Sequence, residues 1–539
     1  MSENYSKIIN NGIREAKNNN FISSKLHFEN AIKLNFKKNQ AYINLSNLYF
    51  IQKKHREALS VLINYILNIK YDENIARHLL SLTNQIRYSK KINKIFDLKK
   101  LSNKKHKHKN IFFIYYIAGK YFEKNNKIKQ AIKFYELSIN IKKNYVNSYM
   151  ALFNLFEKNN NINKFNILIK SANNRFKNNP KIKFFESLLL FRKHNYKKSL
   201  NLIQQNNLSE NLKHDINLYP VLLDIISKNN DKIGNHDLAF KKINQRNIFI
   251  LGLPKNKKIN KNLLTNTINI YKNFYTKQNL KIQNDLNTDE KLVFLLGFPR
   301  SGTTLLDSIL RTHSKTLVLE EKPYLINIRH KFFQQNNNKI ESLAKISSEN
   351  IFKLQKQYFE QININKDNYN KIIIDKFPLS IIELGFIKKI FPQSKIILLV
   401  RNPCDVVISC FFSYFKTNEA MINFLDLSKT INLYNMTFDL FTHLEREFSI
   451  KFHLIKYEEI VYNFDTTLKK LLKYLNLKNE PNLSQFFKTA KKRDIIKTPS
   501  YNQVIEPLYI SSINRWQRYK EAKFIKNELD YWMKKFKYF

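Results

Sequence analysis

Glycine, proline and cysteine are scarce in this sequence. Its 539 residues include only 7 glycines and 11 prolines, which excludes collagen-like, glycine-linker and proline-rich architectures. The two cysteines, Cys404 and Cys410, are too few for a disulfide framework or for a cysteine-rich zinc or iron–sulfur site. The chain is longer than one hydrophobic core usually supports, so we expect more than one domain.

Long apolar runs are missing as well. No segment approaches the roughly 20 apolar residues that a membrane-spanning helix needs. The first residues, MSENYSKIINNG, also lack the apolar core of a signal peptide. We therefore expect a protein that has no membrane span and that is located in the cytoplasm.

Acidic residues are few relative to basic ones. The chain has 43 Asp and Glu against 93 Lys and Arg, which gives a net charge of +50. The lysines are spread over the whole length, however, and the one dense cluster, Lys104–Lys109, is predicted to lie in a solvated loop. A nucleic-acid-binding protein usually concentrates its basic residues on one face, so we expect no nucleic-acid partner. The diffuse charge still favours the arrival of anionic ligands.

Residues 1–240 show the pattern of short amphipathic helices. Small and aromatic residues recur in this region with a period of about 34 residues. Two of the copies are Tyr115, Ala118, Gly119, Phe122, Ala131 and Tyr135, and Tyr149, Leu152, Phe156, Ile169 and Ala172. Small residues let paired helices approach closely. The pattern predicts an all-α helical solenoid whose surface binds a protein partner.

A helical transition is predicted over residues 241–289, and an α/β domain over 290–539. The apolar run Leu292–Leu296 suits a buried parallel strand, and it leads through Gly297–Thr304 into a helical pattern. Strand, glycine-containing loop and helix together are typical of a phosphate site. Thr303 occupies the position at which a nucleoside-triphosphate loop has its lysine, which argues against a kinase or NTPase.

Two more predicted strands end in basic residues. Lys395–Val400 is followed by Arg401, with Ser409 on the helix after it, and Lys371–Asp375 is followed by Lys376. Parallel strands of an open α/β sheet bind ligands at their carboxyl ends. We therefore expect Arg300, Lys376 and Arg401 to meet at one edge of a parallel sheet.

These segments resemble those of a known family. LLGFPRSGTTLLDSIL resembles the 5′-phosphosulfate-binding loop of sulfotransferases, and IILLVRNPCDVVISCFFSYF resembles their 3′-phosphate-binding strand and helix. DKFP between them and YNQVIEPLYISSINRWQRY near the end add to the likeness. With the repeats, the chain resembles bacterial tetratricopeptide-repeat sulfotransferase family proteins and, more distantly, protein-tyrosine sulfotransferases.

The resemblance implies a donor, 3′-phosphoadenosine 5′-phosphosulfate (PAPS), and no metal. It implies that Arg401 and Ser409 bind the 3′-phosphate, that Lys376 neutralises charge in the transition state, and that Ser500 helps to hold the sulfuryl group. Arg300 would act in both donor binding and catalysis. The residues implied for the 5′-phosphosulfate are Arg300, Ser301, Gly302, Thr303 and Thr304.

A general base must stand beside the reacting sulfur to take the acceptor's proton. Glu321 has the spacing from Arg300 that the glutamate base has in the protein-tyrosine group. Glu320 is the competing candidate, and His313 is interpreted as a packing or capping histidine. The expected activity is sulfuryl transfer to a hydroxyl of a protein, peptide or glycan acceptor. The alternative is a repeat scaffold whose sulfotransferase-like domain binds nucleotide but has lost activity.

Overall fold

The computed structural model describes residues 2–96, 110–282, 291–362, 370–491, 508 and 510–538. The chain divides into two compact units, Met1–Leu212 and Lys213–Phe539. In its described part, the first unit contains helices and connecting turns but no strand. No helix among the described residues of the chain is long and apolar enough to cross a membrane.

The helices of the first unit follow one another along the chain, most of them separated by turns of a few residues. They are α1 (Ser2–Lys17), α2 (Phe21–Leu34), α3 (Gln40–Ile51), α4 (His55–Asn68), α5 (Glu73–Gln85), α6 (Lys90–Asn93), α7 (Ile111–Lys124), α8 (Ile128–Ile141), α9 (Val146–Lys158), α10 (Ile162–Arg175), α11 (Pro180–Arg192), α12 (Tyr196–Gln205) and α13 (Leu208–Asn211).

The pairs are spaced regularly. Helices α2 and α4 begin 34 residues apart, and so do α8, α10 and α12 in turn. A Cβ added at Gly12 of α1 would lie 2.6 Å from the ring of Phe28 in α2, so the two helices need a glycine where they cross. The spacing agrees with the predicted period, and the assignment to the tetratricopeptide repeat stays a prediction.

The second unit combines a parallel sheet with helices. Its helices are α14 (Tyr219–Lys232), α15 (His236–Gly252), α16 (Pro254–Lys257), α17 (Leu263–Phe274), α18 (Thr303–Leu310), α19 (Tyr324–Gln335), α20 (Ser348–Ile362), α21 (Leu384–Ile390), α22 (Pro403–Phe412), α23 (Leu427–Phe448), α24 (Tyr457–Tyr462), α25 (Phe464–Leu475), α26 (Phe486–Lys491) and α27 (Ala522–Lys535). Its strands are β1 (Leu292–Gly297), β2 (Thr316–Glu320), β3 (Ile372–Lys376), β4 (Lys395–Val400) and β5 (His453–Lys456).

The five strands are all parallel and lie in the order β2-β3-β1-β4-β5. Side chains of β1 alternate between two buried layers: Phe294 and Leu296 pack in one core cluster, Val293 and Leu295 in the other. Because β1 lies between β3 and β4, the loops that follow these three strands share one edge of the sheet. The predicted fold class, an all-α region followed by an α/β domain with a central parallel sheet, is confirmed.

Residue 240, where we placed the end of the helical array, lies in the middle of α15, and α15 belongs to the second unit. The ring of Phe240 stacks on the ring of Phe411, with the ring centroids 5.2 Å apart. An amphipathic helix pair looks the same in sequence whether it packs on a neighbouring pair or on a sheet domain. The periodicity therefore carried no information on which unit the pair α14–α15 joins.

Candidate active site

The loop between β1 and α18 is shaped by two glycines. A Cβ at Gly297 would lie 2.5 Å from the carbonyl oxygen of Leu399 on β4, so the strands need a glycine there. Gly302 has φ 103° and lies against the ring of Tyr457. Ser301 turns its hydroxyl back to the carbonyl of Phe298 at 2.6 Å. The loop thus leads tightly into the first turn of α18, and the N-terminus of a helix is a favourable place for an anion.

Arg300, Ser409 and Arg401 form one cluster, which we call the arginine cluster. Arg300 itself has a positive φ of 72°. Its Nε donates to Ser409 Oγ at 3.0 Å, and its carbonyl accepts from Arg401 Nη1 at 3.4 Å. The loop after β1, the end of β4 and helix α22 therefore meet at this cluster. The sequence predicts such a meeting for Arg300 and Arg401, which follow β1 and β4.

Arg401 is held from several sides. Its guanidinium lies 4.9 Å from the ring centroid of Tyr457, and its Nη2 donates to the carbonyl of Ser512 at 2.5 Å. Asp405 lies 3.7 Å away on the next turn. Arg401 is buried, and its Nε has no acceptor within the described part of the chain. A buried N–H without a partner costs free energy, and an anionic ligand would satisfy it.

Asp405 joins this cluster to the C-terminal segment. Its carboxylate accepts from the backbone N–H groups of Asn514, at 2.8 Å, and Trp516, at 3.0 Å. Burial raises the pKa of Asp405, while Arg401 and the two N–H groups oppose that rise. The segment that supplies the Ser512 carbonyl to Arg401 is therefore fixed to the first turn of α22.

Lys376 lies at the carboxyl end of β3 with its side chain fully buried. Its Nζ is 2.8 Å from Glu321 Oε1 and 3.7 Å from Asp307 Oδ2. Asp307 comes from α18 and also pairs with Arg311 at 2.8 Å. Lys376, Glu321 and Asp307, which we call the lysine cluster, place a buried cation beside two carboxylates.

Glu321 directly follows β2 and has φ 47°, a left-handed conformation that is uncommon for a residue with a side chain. Its N–H donates to the carbonyl of Lys376 at 2.9 Å, and its side chain is 38% exposed. Glu321 therefore contacts both Lys376 and solvent, a position from which a carboxylate can reach an incoming hydroxyl. Glu320, one residue earlier, pairs with Lys376 in the strand register.

His313 is engaged at both ring nitrogens. Its Nδ1 accepts from the N–H of Lys315 at 3.0 Å, and its Nε2 lies 2.9 Å from the carbonyl of Lys478. Its side chain is 2% exposed. These contacts fit the packing histidine that we expected and leave no nitrogen for an acceptor.

The remaining predicted residues divide into two groups. Ser301, Thr303 and Thr304 are buried in the loop and the first turn of α18, next to Gly302. Ser500 lies outside the described residues. Within the described ranges, no group of three or more His, Cys, Asp or Glu residues could hold a metal ion.

Sequence reasoning missed three residues that shape the site. Asp307 and Asp405 lie four residues after Thr303 and Arg401, a helical spacing that could have pointed to both. Tyr457, which contacts Gly302 and Arg401, carries no signal in the sequence. Cys410, noted only for its rarity, donates its Sγ–H to the carbonyl of Pro299 in the loop at 3.2 Å.

Comparison with known proteins gives a family match for this unit. Residues 293–481 match the family model described as "Sulfotransferase family". An uncharacterized protein of Aquifex aeolicus (strain VF5) is 28% identical over 236 residues, which cover 42% of this chain and 31% of that protein. The chain thus spans about a third of the length of this relative. Protein-tyrosine sulfotransferase 1 of Danio rerio is 25% identical over 252 residues, 45% of this chain and 70% of that protein.

Solved structures also align with part of this chain. The sulfotransferase domain from the Synechococcus PCC 7002 olefin synthase aligns with a TM-score of 0.36 and 17% identity, over 48% of this chain and 98% of that one. The sulfotransferase domain from the curacin biosynthetic pathway aligns with a TM-score of 0.32 and 19% identity, over 44% and 96%. Residues 293–481 of the second unit are therefore similar to the sulfotransferase family.

Proposed function

We propose that the protein is a sulfotransferase that moves the sulfuryl group of PAPS to a hydroxyl of a protein, peptide or glycan acceptor. The observation that carries the proposal is the arrangement of two clusters at one edge of the sheet. The arginine cluster offers cations for phosphate groups, and the lysine cluster offers a cation and an accessible carboxylate for the transfer. Similarity to a protein-tyrosine sulfotransferase favours a polypeptide acceptor.

The residues present fit such a donor. The loop after β1 leads into α18, which presents its N-terminus, where anions bind favourably. Arg300 and residues 301–304 would hold the 5′-phosphosulfate. Arg401, whose Nε has no acceptor among the described residues, and Ser409 would hold the 3′-phosphate.

The donor supplies the sulfuryl group, and the protein's own residues supply the proton chemistry. Glu321 takes the hydroxyl proton of the acceptor as the new S–O bond forms. Lys376 stabilises the negative charge that develops as the S–O bond to the bisphosphate leaving group breaks. Asp307 and Glu321 keep the Lys376 ammonium in one orientation. No metal is needed for these roles.

We propose that the first unit, as a tetratricopeptide-like array, recruits the acceptor or a partner protein. Paired helices of this kind form extended binding surfaces. Large apolar side chains are exposed on it, among them Ile22 and Ile51. Binding of an extended polypeptide would then be separate from the transfer chemistry.

Two measurements test the proposal. Isothermal titration calorimetry should show binding of PAPS and of adenosine 3′,5′-bisphosphate, and much weaker binding of ATP. Incubation with sulfur-labelled PAPS and a panel of tyrosine peptides and glycans should label an acceptor. Donor binding without any transfer would favour an inactive scaffold, and preferred binding of ATP would contradict the proposal.

A further inference from the structure

We infer that the helix pair α14–α15 positions the 3′-phosphate side of the donor site, with Arg246 of α15 as its main positioning residue. The inference rests on the proposed function, because it concerns the same arginine cluster. It goes further by adding a segment, residues 219–252, that lies outside the 293–481 match. All residues involved belong to the second unit.

Arg246 is fully buried and reaches the end of α22. Its Nη1 donates to the carbonyl of Phe412 at 3.1 Å, and its Nη2 donates to the carbonyls of Phe411, at 3.1 Å, and Ser413, at 3.2 Å. Asp224 of α14 pairs with the same guanidinium at 2.5 Å. The cation is thus neutralised by α14 and directed at three backbone oxygens.

These contacts supply hydrogen-bond donors to the last carbonyls of α22, the helix that carries Ser409. The last carbonyls of a helix lack partners within it, and a cation there is favourable. The first turn of α22 is fixed as well, since the Asn402 side chain accepts from the N–H groups of Cys404 and Asp405. With both ends held, the Ser409 hydroxyl stays within hydrogen-bond distance of Arg300.

Asp231 of α14 makes a second attachment. It accepts from the hydroxyl of Tyr519 at 2.7 Å and pairs with Arg515 at 3.2 Å. Arg515 belongs to the segment that Asp405 fixes through the neighbouring Trp516 N–H. That segment supplies the Ser512 carbonyl that holds Arg401. One helix pair therefore supports Ser409 through Arg246 and Arg401 through Asp231.

The planar guanidinium of Arg246 matches the positions of its three carbonyl acceptors and of the Asp224 carboxylate. A lysine keeps the charge but cannot donate to three carbonyls and a carboxylate in one plane. We therefore expect Arg246→Lys to weaken recognition of the 3′-phosphate, although residue 246 does not touch the ligand. A residue that only supported the fold would lower the binding of all nucleotides alike.

The experiment compares two ligands on the full-length protein. Calorimetry measures the dissociation constants of adenosine 3′,5′-bisphosphate and of adenosine 5′-monophosphate, which lacks the 3′-phosphate, and their ratio defines the selectivity. We expect about a 10-fold or greater selectivity in the wild type, as for a charge-assisted contact. Arg246→Lys should lose most of it.

Arg329→Lys is the matched control. Arg329 is another largely buried arginine of this unit, paired with Glu383 at 3.3 Å and with the Tyr271 hydroxyl, away from α22. This variant should lose a similar amount of thermal stability and keep the selectivity. Unchanged selectivity in Arg246→Lys, or an equal loss in Arg329→Lys, would overturn the inference. A wild type without selectivity would contradict the proposed donor site itself.

Tyr519→Phe covers the case in which Arg246→Lys does not fold. It removes only the hydroxyl that donates to Asp231 and keeps the ring against Phe412. Loss of one such hydrogen bond should reduce the selectivity about 3-fold with little change in melting temperature. Wild-type selectivity in Tyr519→Phe would count against the second attachment and, with Arg246→Lys unfolded, against the inference as a whole.

Discussion

Lys376 and Glu321 are linked twice, through their side chains at 2.8 Å and through the Glu321 N–H and the Lys376 carbonyl at 2.9 Å. The backbone link fixes the end of β2 to the end of β3, and the side-chain link places the carboxylate beside the ammonium. The proposed base and the cation proposed to stabilise the transition state are therefore held next to each other. A substitution at either position can be tested for its effect on the chemical step.

Glu321→Gln should reduce kcat about 10²- to 10⁴-fold while the dissociation constant of the donor stays almost unchanged. The amide keeps the shape but cannot take the acceptor's proton. Single-turnover rates with labelled PAPS and a peptide acceptor, together with calorimetry, provide the measurement. Glu320→Gln is the matched control and should retain most of the rate. If Glu320→Gln is the inactive variant, the base is Glu320.

Arg401→Ala should remove selectivity for ligands that carry a 3′-phosphate. The lost charge-assisted contact corresponds to about 1.5–3 kcal/mol of binding free energy. Calorimetry with and without the 3′-phosphate measures it. Arg518→Ala serves as the control, because Arg518 lies on the same C-terminal segment but is exposed and donates to the carbonyl of Ser511. Equal affinity of the wild type for both ligands would contradict the role of Arg401.

Gly302→Ala should lower both the melting temperature and donor affinity. The residue has φ 103°, and its new Cβ would lie 2.5 Å from the ring of Tyr457, which packs under Arg401. Gly234→Ala is the matched control: Gly234 has φ 90°, so it has the same backbone strain, but nothing lies within 4 Å of its Cβ. A loss of donor affinity of similar size in both variants would show that strain alone is responsible.

Asp375 should make stability depend on pH. Burial raises the pKa of this carboxyl to about 7, although Tyr358 donates to it at 2.6 Å and Lys376 lowers the pKa. The folded state therefore holds a proton that the unfolded chain releases near pH 4. The proton that is retained in the folded state contributes about 3–5 kcal/mol to the free energy of unfolding. This contribution is fully present below pH 4 and is lost as the pH rises through about 7.

Urea unfolding at pH 5 and pH 8 measures this effect. Asp375→Asn keeps an acceptor for Tyr358 but does not titrate, so its free energy of unfolding should change less between the two pH values than that of the wild type. An equal change in both proteins would assign the pH dependence to other groups.

The sequence predicted the site best where charged residues directly follow an apolar strand pattern. The apolar runs of β1, β3 and β4 predicted buried parallel strands, and parallel strands bring the residues at their carboxyl ends together. For that reason Arg300 and Arg401 could be placed at one edge before any contact was known. Glu321 was found only through the resemblance, because its distance from Arg300 has no meaning without a known fold.

The supports of the site were not predictable in the same way. Arg246 lies more than 160 residues before the carbonyls of α22 that it contacts. Every residue has a backbone carbonyl, so the sequence does not indicate which ones accept a hydrogen bond from a distant arginine. The left-handed conformation of Glu321 could not be predicted from the sequence either, because it accompanies a backbone contact with Lys376. Such contacts depend on how the elements dock, which local patterns do not encode.

The burial of both thiols has a practical consequence. Cys404 and Cys410 are buried, and burial raises the pKa of the Cys404 thiol to about 12 and that of Cys410 well above its ordinary value. Since the thiolate is the reactive form, neither residue should react with maleimide in the folded protein. A cysteine introduced at Ile22, which is 89% exposed, would then be the only labelled position in the native chain. A fluorophore there would report directly on molecules that approach the helical unit, without removal of any natural cysteine.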